Sequence, residues 1–345
     1  MVAMTDFPRF PDLACSVLGG RVVYANDEFF GAAHHLLDPS PSVHDPELFG
    51  PRGKVYDGWE TRRRRTPGTD TAIVRLAVPA VVHGVVIDTA FFRGNYPPFA
   101  SVEATTVLGY PSPDELLAAD WHPLVERTGL DGDCANQIAV SAPGALVTHV
   151  RLRLHPDGGV ARFRVHGEAV PDPRRLGGRI DLAAALNGGM VTACSNLFYS
   201  SPSNVLRPAN PVGMFDGWET ARRRDDGNDW MVVRLGTPGT IRYVVVDTSY
   251  FVGNAPGGML LTDEATGMEV LPRTRLQPDT EHRFPVRSDM TVGSVRLDVY
   301  PDGGLARLRV VGEVPTAARE AIAERWLGLL PPEVARSVDR AEFFA

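Results

Sequence analysis

Short runs rich in valine, isoleucine, leucine and threonine recur along the chain at 72–78, 81–89, 147–154 and 160–165, each bounded by glycine or proline. Such runs predict β-strands. Leu152 and Leu154 alternate with Arg151 and Arg153, and Phe163 and Val165 alternate with Arg162 and Arg164. A period of two gives each strand one dry and one wet face, and Pro156-Asp157-Gly158-Gly159 between them supplies the turn of a β-hairpin. Helical signals are few. Residues 113–117 read as a short capped helix, and Ala318, Ile322, Trp326, Leu329 and Leu330 fall at helical spacing before Pro331-Pro332 stops them. That tail helix is expected to dock on a domain or on another subunit. Many short strands punctuated by turns predict an all-β fold, an antiparallel sandwich or jelly roll.

The strand pattern occurs twice. DGWETRRRR at 57–65 returns as DGWETARRR at 216–224 with eight of nine positions the same, VVIDTAFFRGN at 85–95 returns as VVVDTSYFVGN at 244–254, and HPDGGVARFRVHGE at 155–168 returns as YPDGGLARLRVVGE at 300–313. Matches that keep one order over so long a stretch define two homologous domains rather than a short-period solenoid. We divide the chain into a first repeat at 1–170, a linker at 171–180, a second repeat at 181–315 and a helical tail at 316–345. The offset between matching positions shrinks along the chain, so copy one carries extra residues between Leu37 and Asp57 and again near Leu108 to Asp120. Insertions of this kind belong in loops at the ends of a sandwich.

Composition narrows the picture modestly. With 345 residues, 43% of them hydrophobic, the chain can bury two ordinary cores. Three cysteines, Cys15, Cys134 and Cys194, without close spacing indicate neither a disulfide framework nor a thiolate zinc site. The first 30 residues lack the apolar stretch of a signal peptide, and no run is long enough to span a membrane, so a soluble cytoplasmic protein is expected. A net charge of −7 argues against a nucleic-acid partner. The basic residues are one lysine, Lys54, and 34 arginines, whose planar forks grip carboxylates at two points.

Candidate chemistry follows from what the copies share and what they do not. Asp57 and Trp59 sit in a glycine-containing loop before a strand, where they either serve a site or fasten the loop. Arg62 to Arg65 recur as Arg222 to Arg224, which suits anion recognition and an internal ion-pair network equally. Asp88 closes a buried strand and needs a partner, whereas turn chemistry alone accounts for Asn95. The most asymmetric element is Asn26-Asp27-Glu28-Phe29-Phe30, which in copy two reads Ser195-Asn196-Leu197-Phe198-Tyr199 and keeps the aromatics while losing both acids. His34, His35 and His149 are likewise replaced, by Ser203, Asn204 and Ser294; of these only His149, entering a strand, is retained as a candidate. Neither a nucleophile elbow nor a phosphate loop is present, so no organic cofactor is expected; a metal held between distant loops is left open.

Taken in order, Asn-Asp-Glu-Phe-Phe, Asp-Gly-Trp-Glu-Thr-Arg-Arg, the Asp-Thr strand with Phe-x-Gly-Asn, Thr-His-Val-Arg-Leu and Pro-Asp-Gly-Gly-Val-Ala-Arg resemble the allantoicase (allantoate amidinohydrolase) family, from Asp12 to Glu313. The resemblance implies two tandem jelly-roll domains of the galactose-binding-like type and a place in purine breakdown, where allantoate yields ureidoglycolate and urea. It implies a small-molecule partner. Chemistry on that substrate assigns Glu28 and Asp27 first to acid–base work, with Asp57, Glu60 and His149 as further candidates. Arg63 and Arg64 are assigned to the substrate carboxylate, Asp88 to orientation, and Trp59 and Asn95 to the substrate's surroundings. The competing expectation is a tandem carbohydrate-binding or protein-interaction module on the same fold.

Overall fold

The computed structural model describes residues 7–343, and they form two compact units. Among the described residues, one holds 7–170 together with Leu329–Val338; the other holds Pro171–Gly328 together with 339–343. Each unit is an antiparallel jelly-roll sandwich built around one long strand, Asp70–Asp88 in the first and Asp229–Asp247 in the second.

These long strands turn a corner. Residues 70–75 pair with Arg21–Ala25 and Val147–His155, whereas residues 80–88 pair with Arg162–Ala169, and the register breaks between Arg75 and Ala80. Pro79 sits in that break, as Pro238 does in the equivalent break between Arg234 and Gly239. Proline cannot donate to a ladder, so it falls where pairing is interrupted. The sequence separates this segment into two strands, and the structure joins them through the bend. Because the strand doubles back, both its ends meet the turn at 156–161: the Asp70 N–H donates to Pro156 O at 3.0 Å, and the Ala161 N–H donates to Asp88 O at 2.7 Å. One end of each sandwich therefore collects the loops with the repeated polar motifs.

The core is the dry face of these strands. In the second unit it gathers Trp218, Met231, Val244, Met259, Leu297 and Leu308, all fully buried. The tail helix Thr316–Leu329 forms as its periodicity predicts and lays Ala318 and Ile322 against this core, with Trp326 fully buried. The helix at Pro113–Ala118 forms too, closed by a Ser112–Glu115 capping box. Within the other insertion of copy one lies a small hairpin, Phe49–Gly50 with Gly53–Lys54. Among the described residues no helix is long and apolar enough to cross a membrane.

Candidate active site

Three loops converge at the polar end of the first sandwich, and backbone pairing fixes them to one another. Trp59-Glu60 pairs with Gly159-Val160, and Gly31 bridges Glu60, bringing the loop at 26–31 alongside. The Trp59 indole is fully buried, and its Nε1 donates to Asp27 O at 2.7 Å. Trp218 does the same to Asn196 O at 3.0 Å in the second copy. Trp59 is therefore a fastening for the loop: with no exposed surface it cannot touch a substrate arriving from solvent.

The same comparison separates scaffold from candidate chemistry for the other residues. Asp57 receives the fork of Arg162, 2.7 Å at its closest, and the Val43 N–H at 2.9 Å. Burial alone would raise the Asp57 carboxyl, but Arg162, Val43 and the nearby His35 outweigh it and hold it below the usual carboxylate range. Asp216 is held by Arg307 in the same way. Arg64 is tied to the buried Asp70 at 2.6 Å, as Arg223 is to Asp229 at 3.0 Å. Asp88 accepts the Ala90 N–H at 2.9 Å and Asp247 accepts the Ser249 N–H at 2.8 Å, so both cap the strand end. Asp57, Arg64 and Asp88 thus have structural partners that recur in both copies. The sequence reading missed Arg162, although the repeated Ala-Arg-x-Arg-Val of both copies carries it.

Asp27 is held differently from its counterpart. It accepts the Arg62 Nε–H at 2.6 Å and the backbone N–H groups of Phe29 and Arg62. Burial works to raise its carboxyl, yet these hydrogen bonds prevail and keep it ionised to lower pH than usual. Such a group is a poor proton donor at neutral pH. Asn196 takes over its turn-closing role in copy two, accepting the Phe198 N–H at 2.9 Å, while Ala221 stands where Arg62 does.

Glu60, Asn95, Glu28 and Arg63 form what remains. Glu60 accepts the Asn95 Nδ2–H at 2.7 Å, its sole hydrogen-bond partner on the carboxyl among the described residues. Burial pushes the Glu60 carboxyl up, and the Asn95 hydrogen bond offsets this only in part. Glu28 lies exposed on the loop that bridges Glu60, with one oxygen accepting the Ala33 N–H at 2.7 Å. Arg63 is exposed and has neither ion pair nor hydrogen bond among the described residues. It borders an open cleft of about 380 Å³ lined by Asn26, Asp27 and Arg62 to Arg65.

His149 is not brought to this end. It stands opposite Arg75 and Thr105, six residues before His155, which is roughly 20 Å along the strand. Its ring is 1% exposed, bonded to Thr148 Oγ1 at 2.9 Å, and its basicity is pushed down to about 4, by burial first and then by the charge of Arg75. The unfolded chain binds this proton more readily, so stability is complete above about pH 6.5 and is lost as pH falls toward 4, by on the order of 3 kcal/mol from this group. His149→Gln is expected to flatten that part of the profile. Denaturant midpoints at about pH 7.5 and pH 4.5 would read it, and an unchanged acid loss would contradict it.

One group of donors could meet a cation. His35, Asp38 and Asp57 bring a ligand atom each to within 4.8 Å of one another. Both oxygens of Asp57 already carry the Arg162 fork, and a guanidinium beside a dication opposes its binding. The trio reads better as an ion-pair cluster, and copy two fills it with a second arginine, Arg207, on Asp216.

Comparison with known proteins gives this arrangement a context. The allantoicase repeat model matches residues 11–170 and again 180–315. The chain belongs to the allantoicase family. A probable allantoicase of Nocardia farcinica is 53% identical over 91% of this chain and 97% of its own length. A probable allantoicase of Streptomyces coelicolor is 49% identical over 93% and 91%. The crystal structure of allantoicase from Saccharomyces cerevisiae superposes with a TM-score of 0.76 at 35% identity, covering 88% of this chain and 92% of that one. Within this allantoicase-family chain, the two repeats share scaffold and differ in charged groups: Glu28, Arg62 and Asp27 of copy one correspond in sequence to Leu197, Ala221 and Asn196 of copy two.

Proposed function

We propose that the chain hydrolyses allantoate to ureidoglycolate and urea as a step of purine breakdown, and that the loop end of the first repeat is the site. The observation that carries the assignment of the site is the conjunction, present in copy one only, of a half-buried carboxyl on Glu60, raised by burial, and a second, exposed carboxylate on Glu28 in the loop bridged to it.

The chemistry selects among the polar groups. Allantoate carries a carboxylate and two ureido groups on one carbon, and releasing intact urea requires cleavage of the bond from that carbon to nitrogen. Attack on a ureido carbonyl would not give urea. A proton must reach the departing nitrogen, water must reach the central carbon, and a cation must hold the carboxylate. Glu60 suits the first task, because burial keeps its proton to higher pH and Asn95 fixes its orientation. Glu28, whose Oε1 is anchored by Ala33, suits the base that delivers water. Arg63, without an internal partner, suits the substrate carboxylate. Asn95 Nδ2 can also steer a ureido oxygen.

Arg63→Lys is expected to raise KM about tenfold and change kcat little, since an ammonium keeps the charge but loses one of two hydrogen bonds. A loss confined to kcat would place Arg63 elsewhere. The reaction itself is tested by incubating purified chain with allantoate and assaying urea. Ammonia in place of urea, or no release above the blank, would overturn the assignment. We place the protein in the cytoplasm, in keeping with its free cysteines, and assign it no nucleic-acid partner, in keeping with its net charge of −7.

A further inference from the structure

Residues of the second repeat alone form a cleft of about 570 Å³, bordered by Asn228, Gly257, Gly258, Arg273, Arg275 and Tyr300 and by the exposed carboxylate of Asp226. Strand register explains it. Arg275, Gly258 and Tyr300 are directly paired across three neighbouring strands, Glu269–Arg275, Gly258–Asp263 and Thr291–Tyr300. Paired residues project to one face, and in the next row Met259 and Val299 are fully buried, so this row points away from the core. Gly258 has no side chain, which leaves a notch between its two large neighbours. Copy one reverses the sizes, for the matching row reads Gly129, Phe99 and His155. There Phe99 fills the middle place, and Arg127 stacks on its ring at 4.4 Å.

The cations beside the notch are left without a protein anion. Arg273 lies on the Tyr300 ring, 3.9 Å from its centre, and neither Arg273 nor Arg275 has an ion pair or hydrogen bond among the described residues. Asp298, two residues before Tyr300 on the same face, is already taken by Arg296 Nε at 3.0 Å and Asn228 Nδ2 at 2.9 Å. Asn228 Oδ1 and the Asp226 carboxylate accept no hydrogen bond among the described residues. From these groups we infer that the cleft is a ligand site for a small carboxylate that also carries N–H donors, an N-acyl or ureido acid. The guanidinium forks of Arg273 and Arg275 hold the carboxylate at two points, as copy one cannot with Gly129 in place of Arg275. Asp226 and Asn228 Oδ1 accept the N–H groups. Asp226 also selects by charge: two cations and one anion leave a single net positive charge, which suits a monoanion and opposes a phosphate dianion. Such a site stands whichever groups of the first repeat carry out catalysis.

Equilibrium dialysis of the full chain with radiolabelled ureidoacetate tests this. That probe has a carboxylate and one ureido group, and its central carbon holds a single nitrogen, so it is no aminal and survives the assay. The wild type is expected to bind it in the cleft with a Kd on the order of 0.1–1 mM. The double variant Gly258→Phe/Arg275→Gly, which rebuilds the copy-one row, is expected to bind one molecule fewer per chain at saturation. Arg275→Gln alone leaves the notch open and removes one fork, and is expected to weaken the same site about tenfold or more, with an unchanged melting temperature. Binding of the probe at the Arg63 cleft is common to all three chains and cancels in the comparison. Acetate, which lacks the N–H donors, is expected to compete at least about tenfold more weakly than unlabelled ureidoacetate. Equal binding by the wild type and Arg275→Gln, no binding up to about 10 mM, or acetate competing as well as ureidoacetate would overturn the inference.

Discussion

Replacing Glu60 with glutamine is expected to cut urea release from allantoate by about a hundredfold or more, the usual contribution of a positioned acid, without weakening the fold. Glutamine keeps an acceptor for Asn95 Nδ2 and nearly the same volume, so the strand pair and the loop at 26–31 should stay in place. It removes the ionisable proton. Because burial raises the Glu60 carboxyl above its unfolded value, the native state is favoured by this group at acid pH, and that advantage is lost as pH rises and the carboxyl is forced to ionise. The variant escapes this loss. Its melting temperature should match the wild type at acid pH, near the unfolded carboxyl's range, and exceed it at neutral and alkaline pH, where the wild-type carboxyl is ionised. Full activity, or a melting temperature that falls below the wild type at alkaline pH, would remove Glu60 from the role of acid.

Glu28→Gln is expected to lower kcat by a similar factor, about a hundredfold, with little effect on KM or melting temperature. Its side chain is exposed and makes one hydrogen bond, to the Ala33 N–H, which an amide oxygen can also accept. A loss of stability instead of turnover would mean that Glu28 serves only to start the short helix Ala33–Leu37. Steady-state kinetics together with thermal unfolding separates the two roles.

Strand positions, turns, the duplication and the helices at Pro113–Ala118 and Thr316–Leu329 were legible in the sequence because each rests on local rules: alternation, glycine and proline punctuation, and a capping box; the short helix Pro332–Arg336 that follows the Pro331-Pro332 stop was not. The corner at Pro79 was less so, since a bend within a continuous ladder and a turn between two strands leave similar marks. The site was harder for a further reason. A side chain's role depends on partners far away in sequence, and Asp57 finds Arg162 105 residues on. Trp59 shows the same limit, because burial is decided by what packs over it. His149 looked promising for its absence from copy two, yet it lies far down its strand, buried and neutral. Duplication gave the more dependable filter. Contacts repeated in both copies, Asp57–Arg162 with Asp216–Arg307 and Arg64–Asp70 with Arg223–Asp229, are scaffold, and the unshared Glu28 and Arg62 draw attention to one end of one repeat. The Glu60–Asn95 pair escapes that filter, for Glu219 and Asn254 reproduce it. Its neighbours, not its own geometry, distinguish it.

Glu60 and Glu219 therefore offer the most direct test that the first repeat does the chemistry. Each accepts one asparagine amide at 2.7 and 2.6 Å, so glutamine is an equally mild change at both. The decisive measurement is kcat for urea release from allantoate by Glu60→Gln and Glu219→Gln, prepared and assayed side by side. The account predicts a loss of about a hundredfold or more in the first and a change of no more than about twofold in the second. Equal losses in both, or a loss in Glu219→Gln alone, would contradict it.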